Sequence, residues 1–244
     1  MRKKVALILG GNGGIGSAVI RQLSKDGFQV CTTYNKNKDQ IESIKLTSGE
    51  LQSYKCNITD KEMVDKTIRS INALFGEIDV VIFSAASNFK NNRILDLDWN
   101  EYSSQFDLQT KSMFLVMKAL SKQIALKYKT KFIVVLSEVS QGQPPKGFSP
   151  YVTSKYAAMG MAKTMALELA PFDCRVNMIS PGMVETKLLS DLPTKMIEIS
   201  SFENPLKKNA LPEDIAKVAS FLLSDDAEFI NGANIPVNGG KVLF

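Results

Sequence analysis

Tyr151 and Lys155 stand four residues apart on a stretch that reads as helix, so their side chains share one face. A phenol held beside an ammonium can give up a proton near neutral pH, because the cation stabilises the phenolate and draws its pKa down from about 10. Far upstream, the apolar run Val5–Leu9 ends in Gly10-Gly11-Asn12-Gly13-Gly14-Ile15-Gly16. A glycine turn between a buried strand and a helix is where the phosphates of a dinucleotide dock. Either feature alone is weak, since a Tyr-x-x-x-Lys pair usually marks only a solvated helix face. Their order and separation together predict hydride transfer to a carbonyl, with Tyr151 supplying the proton.

The elements that must position these groups alternate between strand and helix. Apolar runs predict strands at Val5–Leu9, Phe28–Tyr34, Leu51–Cys56, Asp79–Phe83, Phe132–Leu136, Arg175–Ile179 and Asn234–Val237. Between them, helical spacing marks Ile15, Val19, Ile20 and Leu23, a helix capped by Asp60 and running to Phe75, and a long stretch from Trp99 to Lys129. Further helices are predicted over Tyr151–Ala170 and Pro212–Leu223. Pro181-Gly182 breaks the sixth strand. The polar, proline-dotted segment 183–210 reads as a mobile substrate lid. The predicted fold is a single α/β domain over residues 1–244, a Rossmann-type doubly wound, mostly parallel sheet.

Composition narrows the function further. With 244 residues and 44% hydrophobic content, the chain can bury one large core. The net charge of +5 mildly favours anionic ligands, but no run of five basic residues suggests a nucleic-acid tail. Histidine is absent, which excludes a serine–histidine triad and any imidazole metal site. Cys31, Cys56 and Cys174 are too scattered for a metal and read as small buried residues of a reducing compartment. The apolar run after Met1-Arg2-Lys3-Lys4 is too short for a signal peptide or membrane span, so a soluble, cytoplasmic protein is expected.

Six ordered motifs resemble the short-chain dehydrogenase/reductase family, and within it most closely the 3-oxoacyl-(acyl-carrier-protein) reductases. They are the glycine turn, Tyr151-Val152-Thr153-Ser154-Lys155, Asn177-Met178-Ile179-Ser180-Pro181-Gly182, Thr186, Pro212-Glu213-Asp214-Ile215-Ala216 and Asn238-Gly239-Gly240. The resemblance implies a ketone reductase in which Lys155 also holds the nicotinamide ribose. Pro181 and Gly182 would lie beside the nicotinamide, near Val184, and Thr186 would cap its carboxamide. Gly10, Gly14 and Gly16, with Asn12 and Ile15 between them, would receive the pyrophosphate. Tyr34, Asn35 and Lys36 follow the second strand without an acid, which favours NADP over NAD, although NAD remains possible. Asn57 and Ile58 stand where adenine is met, and Ser84, Ala85 and Ala86 replace the usual Asn-Ala-Gly.

The family's catalytic serine stands thirteen residues before Tyr151, and here that position is Glu138. An ionised carboxylate there would repel developing alkoxide charge, and losing one such donor costs about 10²–10³ in rate. Four readings follow: a protonated Glu138 donates to the carbonyl, Ser140 takes over the serine's part, Glu138 binds a substrate hydroxyl or amine, or the chain binds cofactor and oligomerises with little catalysis. Gln109 replaces the asparagine that supports a water and the lysine. Lys129 matches a basic position that holds the acyl carrier, while the second such position is Phe172. The expected partner is therefore a small carbonyl substrate, free or carried on a carrier protein. A homo-oligomer, by resemblance a tetramer, is expected because the Tyr151 helix carries Met159, Met161, Met165 and Leu167 around much of its circumference.

Overall fold

Val5, Leu7 and Leu9 of strand β1 (Val5–Leu9) join one buried cluster, while Ala6 and Ile8 join another on the opposite side. A strand apolar on both faces has to be covered on both. The computed structural model describes residues 2–46, 49–87, 91–187, 189 and 194–243. Strands β2 (Gln29–Tyr34), β3 (Leu51–Lys55), β4 (Ile78–Phe83), β5 (Lys131–Val135), β6 (Arg175–Pro181) and β7 (Asn234–Val237) complete a parallel sheet in the order β3-β2-β1-β4-β5-β6-β7. The predicted doubly wound architecture is the one observed. The order reverses between β1 and β4, and their carboxyl ends part there to leave a crevice.

The helices, in chain order, are α1 (Gly14–Lys25), α2 (Asp39–Glu42), α3 (Lys61–Phe75), α4 (Trp99–Phe106), α5 (Ser112–Ala119), α6 (Ser121–Ala125), α7 (Ser149–Glu168), α8 (Thr194–Glu203) and α9 (Pro212–Leu223). Helices α1 and α9 cover the face of Ala6, Ile8 and Ile82; α3, α5 and α7 cover that of Leu7, Val81 and Phe132. Asp60 caps α3 as expected, its carboxylate accepting from Met63 N at 3.0 Å.

Three local expectations change. The stretch from Trp99 to Lys129 is not one helix: a π-helical turn, Asp107–Lys111, separates α4 from α5, and α6 follows Leu120. Such a turn absorbs an extra residue without ending the helix, and it carries Gln109. Strand β6 does not stop at Ile179 but continues through Pro181, paired with β7, since a proline at the last strand position removes no further ladder bond. On α7, Met165 is in the core and Met159 and Met161 pack against it, so Leu167, 78% exposed, is the methionine–leucine set's outward member. Of the expected lid, residues 188 and 190–193 lie outside the described residues. Its far end is pinned, Ala210 N donating to Met183 O at 3.0 Å and Glu185 N to Ala210 O at 2.9 Å.

Candidate active site

The glycine turn closes with Gly13 N donating to Gly10 O at 3.0 Å, and α1 starts at Gly14 without a side-chain cap. Its first N–H groups are therefore open to an anion. Gly10 has φ +92°, and a Cβ there would sit 2.5 Å from Ala85 Cα. A Cβ on Gly14 would meet Thr186, and one on Gly16 would run into the Gly10 carbonyl. The turn is thus held between the exit of β4 and the segment after β6.

A cleft of about 690 Å³ opens here. It brings together Gly10, Asn12, Gly14, Ile15, Tyr34, Asn35, Lys36, Asn57, Ile58, Ser84, Ala85, Ala86 and Thr186. Gly16, Pro181, Gly182 and Val184 do not line it: Gly16 packs beneath the turn, and Val184 is buried and bridges to Ala210. Asn57 Oδ1 accepts from Thr59 N and Oγ1, so its amide nitrogen is what it can offer. Asn12 Nδ2 donates to Asn37 Oδ1 at 3.0 Å, while Asn12 Oδ1 is buried without a partner. An unmet acceptor, open helix N–H groups and the cations Lys36 and Lys187 fit a polyhydroxylated, anionic ligand such as a nicotinamide dinucleotide. Lys187 went unnoticed in the sequence, although its place beside Thr186 was the signal.

Tyr151 and Lys155 lie on α7, with the ammonium 5.6 Å from the centre of the phenol ring. Lys155 Nζ donates to Gln109 Oε1 at 3.0 Å and to Val135 O at 2.8 Å. Gln109 Nε2 in turn donates to Ala85 O at 3.0 Å, tying the lysine to the cleft wall. The π turn puts Gln109 in direct contact with the lysine. Burial draws Lys155 down from 10.5 to about 7, close to where proton exchange is efficient. The expected fall of the Tyr151 pKa is not seen: burial pushes the phenol up, and a Ser137 hydrogen bond pulls it partly back.

The side chain of Ser137, a residue outside the sequence-predicted set, hydrogen-bonds Tyr151. Ser140 is buried and its Oγ donates to Ser137 O at 2.7 Å, closing a short 3₁₀ turn over Glu138–Ser140. Glu138 turns its carboxyl toward Gly182, Oε2 lying 3.1 Å from the point a Gly182 Cβ would occupy. Burial pushes that carboxyl's pKa up, while Lys241 and the Asn238 amide pull it down.

The family described as Enoyl-(Acyl carrier protein) reductase matches residues 10–241. Dehydrogenase/reductase SDR family member 4 of Homo sapiens is 32% identical over 98% of this chain and 88% of its own length. The 3-oxoacyl-(acyl-carrier-protein) reductase FabG of Staphylococcus epidermidis is 30% identical, over 98% of this chain and 99% of its own. A crystal structure of 3-ketoacyl-(acyl-carrier-protein) reductase from Brucella melitensis, complexed with NADH, superposes with a TM-score of 0.89 over 99% of both chains. Its identity is 24%, so that likeness concerns the fold.

Proposed function

Because the chain belongs to the short-chain dehydrogenase/reductase family, we propose that it reduces a ketone, a 3-oxoacyl thioester or another small carbonyl, with Tyr151 as proton donor. One observation carries this reading: Ser137 and Lys155 both attend the Tyr151 phenol, and Gln109 holds the lysine. A bound nicotinamide dinucleotide supplies the hydride. Tyr151 gives its hydroxyl proton to the carbonyl oxygen as negative charge gathers there. Ser137 donates a hydrogen bond to the same oxygen, and Lys155 stabilises the phenolate left behind. Glu138, turned toward Gly182, does not oppose the developing charge. Ser137→Ala should therefore cost about 10²–10³ in kcat/KM, whereas Glu138→Ser should give no gain on 3-oxoacyl substrates. A clear gain from Glu138→Ser with a harmless Ser137→Ala would return the donor's place to position 138.

NADPH is the proposed cofactor, supported by the lack of an acid after β2 and by Lys36 and Lys187 on the cleft. Fluorescence titration should give tighter NADPH than NADH binding; equal affinities reject the preference. Carrier delivery is supported by the names of relatives, but Lys129 stands before the amino end of β5, away from the carboxyl-end cleft, and Phe172 packs against the core. A substrate free in solution fits this subunit better. A homo-oligomer, tetrameric by analogy with the family, is also proposed. Trp99 and Phe106 on α4, Phe114 on α5 and Tyr156 on α7 leave aromatic surface uncovered, Trp99 being 74% exposed. Sedimentation at micromolar concentration should show an assembly, and a monomer contradicts it.

A further inference from the structure

The carboxyl of Glu138 sits in a junction of three segments. Its Oε2 is buried without a hydrogen-bond partner and faces Gly182, just after β6. The Cβ position of Gly182 is also 3.1 Å from Asn238 Cα, at the start of the C-terminal loop. That loop holds its own shape: Asn238 Oδ1 accepts from Gly240 N at 3.1 Å, and Asn238 Nδ2 donates to Val242 O at 2.8 Å. Val242 meets the chain again at Gly142, whose N–H donates to Glu138 O at 3.1 Å.

The same loop grips the end of α8. Lys241 Nζ donates to Ser200 Oγ at 3.2 Å and pairs with Glu203 at 3.6 Å. Asn204 Nδ2 donates to Asn238 O at 2.9 Å, with both asparagines buried. Lys241 thus ties the loop to α8, and its charge also acts on the buried Glu138 carboxyl from a distance. A cavity of about 180 Å³ lies between these groups, lined by Gly182, Met183, Asn204, Leu206, Asn238 and Gly239.

We propose that Glu138 is a positioning residue: its side chain, packed against Gly182 beside Asn238, sets the Asn238–Val242 loop, which in turn fixes the Asn204 end of α8 against Gly182, and so sets the substrate-side wall of the site. This rests on the proposed reductase only in treating the Gly182 side as the substrate side. A serine at position 138 is too short to fill the space against Gly182, and the loop's hold on α8 runs through Lys241 and Asn204.

Hydrogen–deuterium exchange of the purified full chain, with kinetics on whatever ketone the wild type reduces, tests this in Glu138→Ser, Lys241→Met and the double variant. Glu138→Gln keeps the shape of the side chain, so it should exchange like the wild type. The expected result is faster exchange at the C-terminal end of α8 in both single variants. KM for the ketone should rise severalfold with kcat and cofactor affinity little changed, and the double variant should be no worse than the worse single one. Wild-type exchange at α8 in both singles overturns the proposal, as does a fall in kcat at constant KM. Should the wild type reduce no ketone at all, the proposed function fails while the exchange result still decides the clamp.

Discussion

Tyr151→Phe should lower ketone turnover by about 10²–10⁴, the usual contribution of a placed general acid, while leaving cofactor affinity nearly intact. The substitution removes one oxygen from a partly buried ring and keeps the volume that α7 packs around. Lys155, Gln109 and the glycine turn keep their contacts, because none of the hydrogen bonds that hold the lysine passes through the phenol. Steady-state assay and fluorescence titration on the same preparation check both halves. Wild-type turnover in the variant rejects Tyr151 as donor, and lost cofactor affinity assigns the phenol to binding.

Lys155→Met should abolish turnover and weaken cofactor binding together, since the resemblance has one ammonium serve both the phenolate and the ribose. It should also change how stability depends on pH. Unfolded, the amine keeps its proton up to about 10.5; folded, burial lets it go at about 7. Between those values unfolding takes up a proton at this amine, so the Lys155 contribution to stability rises with pH across that window. Above about 9 it is opposed by the buried thiols of Cys31, Cys56 and Cys174, which burial keeps protonated in the folded chain. Below about 7 both states hold the proton and the contribution is flat. Urea unfolding between about pH 7 and 9 should show this rise in the wild type and its absence in Lys155→Met, whatever absolute stability the variant reaches. An unchanged slope places the responsible group elsewhere.

The parts legible in the sequence are those decided locally. Gly10 needs a positive φ and an empty Cβ position, and its place after an apolar strand marked the turn. Asp60 caps the residue three positions on, a purely short-range device. Tyr151 and Lys155 share a helix face because the helical period leaves little choice. The register of Ser137 and Glu138 is different. Which side chain meets the phenol depends on how the backbone leaves β5, and a 3₁₀ turn held by the Ser140 hydroxyl sets that. Counting thirteen residues assumes a loop of fixed shape and so settled on Glu138. Gln109 was legible as a replacement but not in its contact, because a π turn conceals an added residue inside an apparently continuous helical pattern. The meeting of Gly182, Asn238 and Gly142 at Glu138 joins segments far apart in sequence, and no local pattern announces it.

Hydride transfer to a carbonyl at this site is tested most directly by a single turnover with NADPH deuterated at the transferable position, against a panel of ketones and 3-oxoacyl thioesters, with products read by mass spectrometry. One deuterium should appear on the carbinol carbon of at least one product, and none with Tyr151→Phe on the same timescale. Tight cofactor binding with no labelled alcohol from any member of the panel contradicts it, and leaves a cofactor-binding protein without reductase activity.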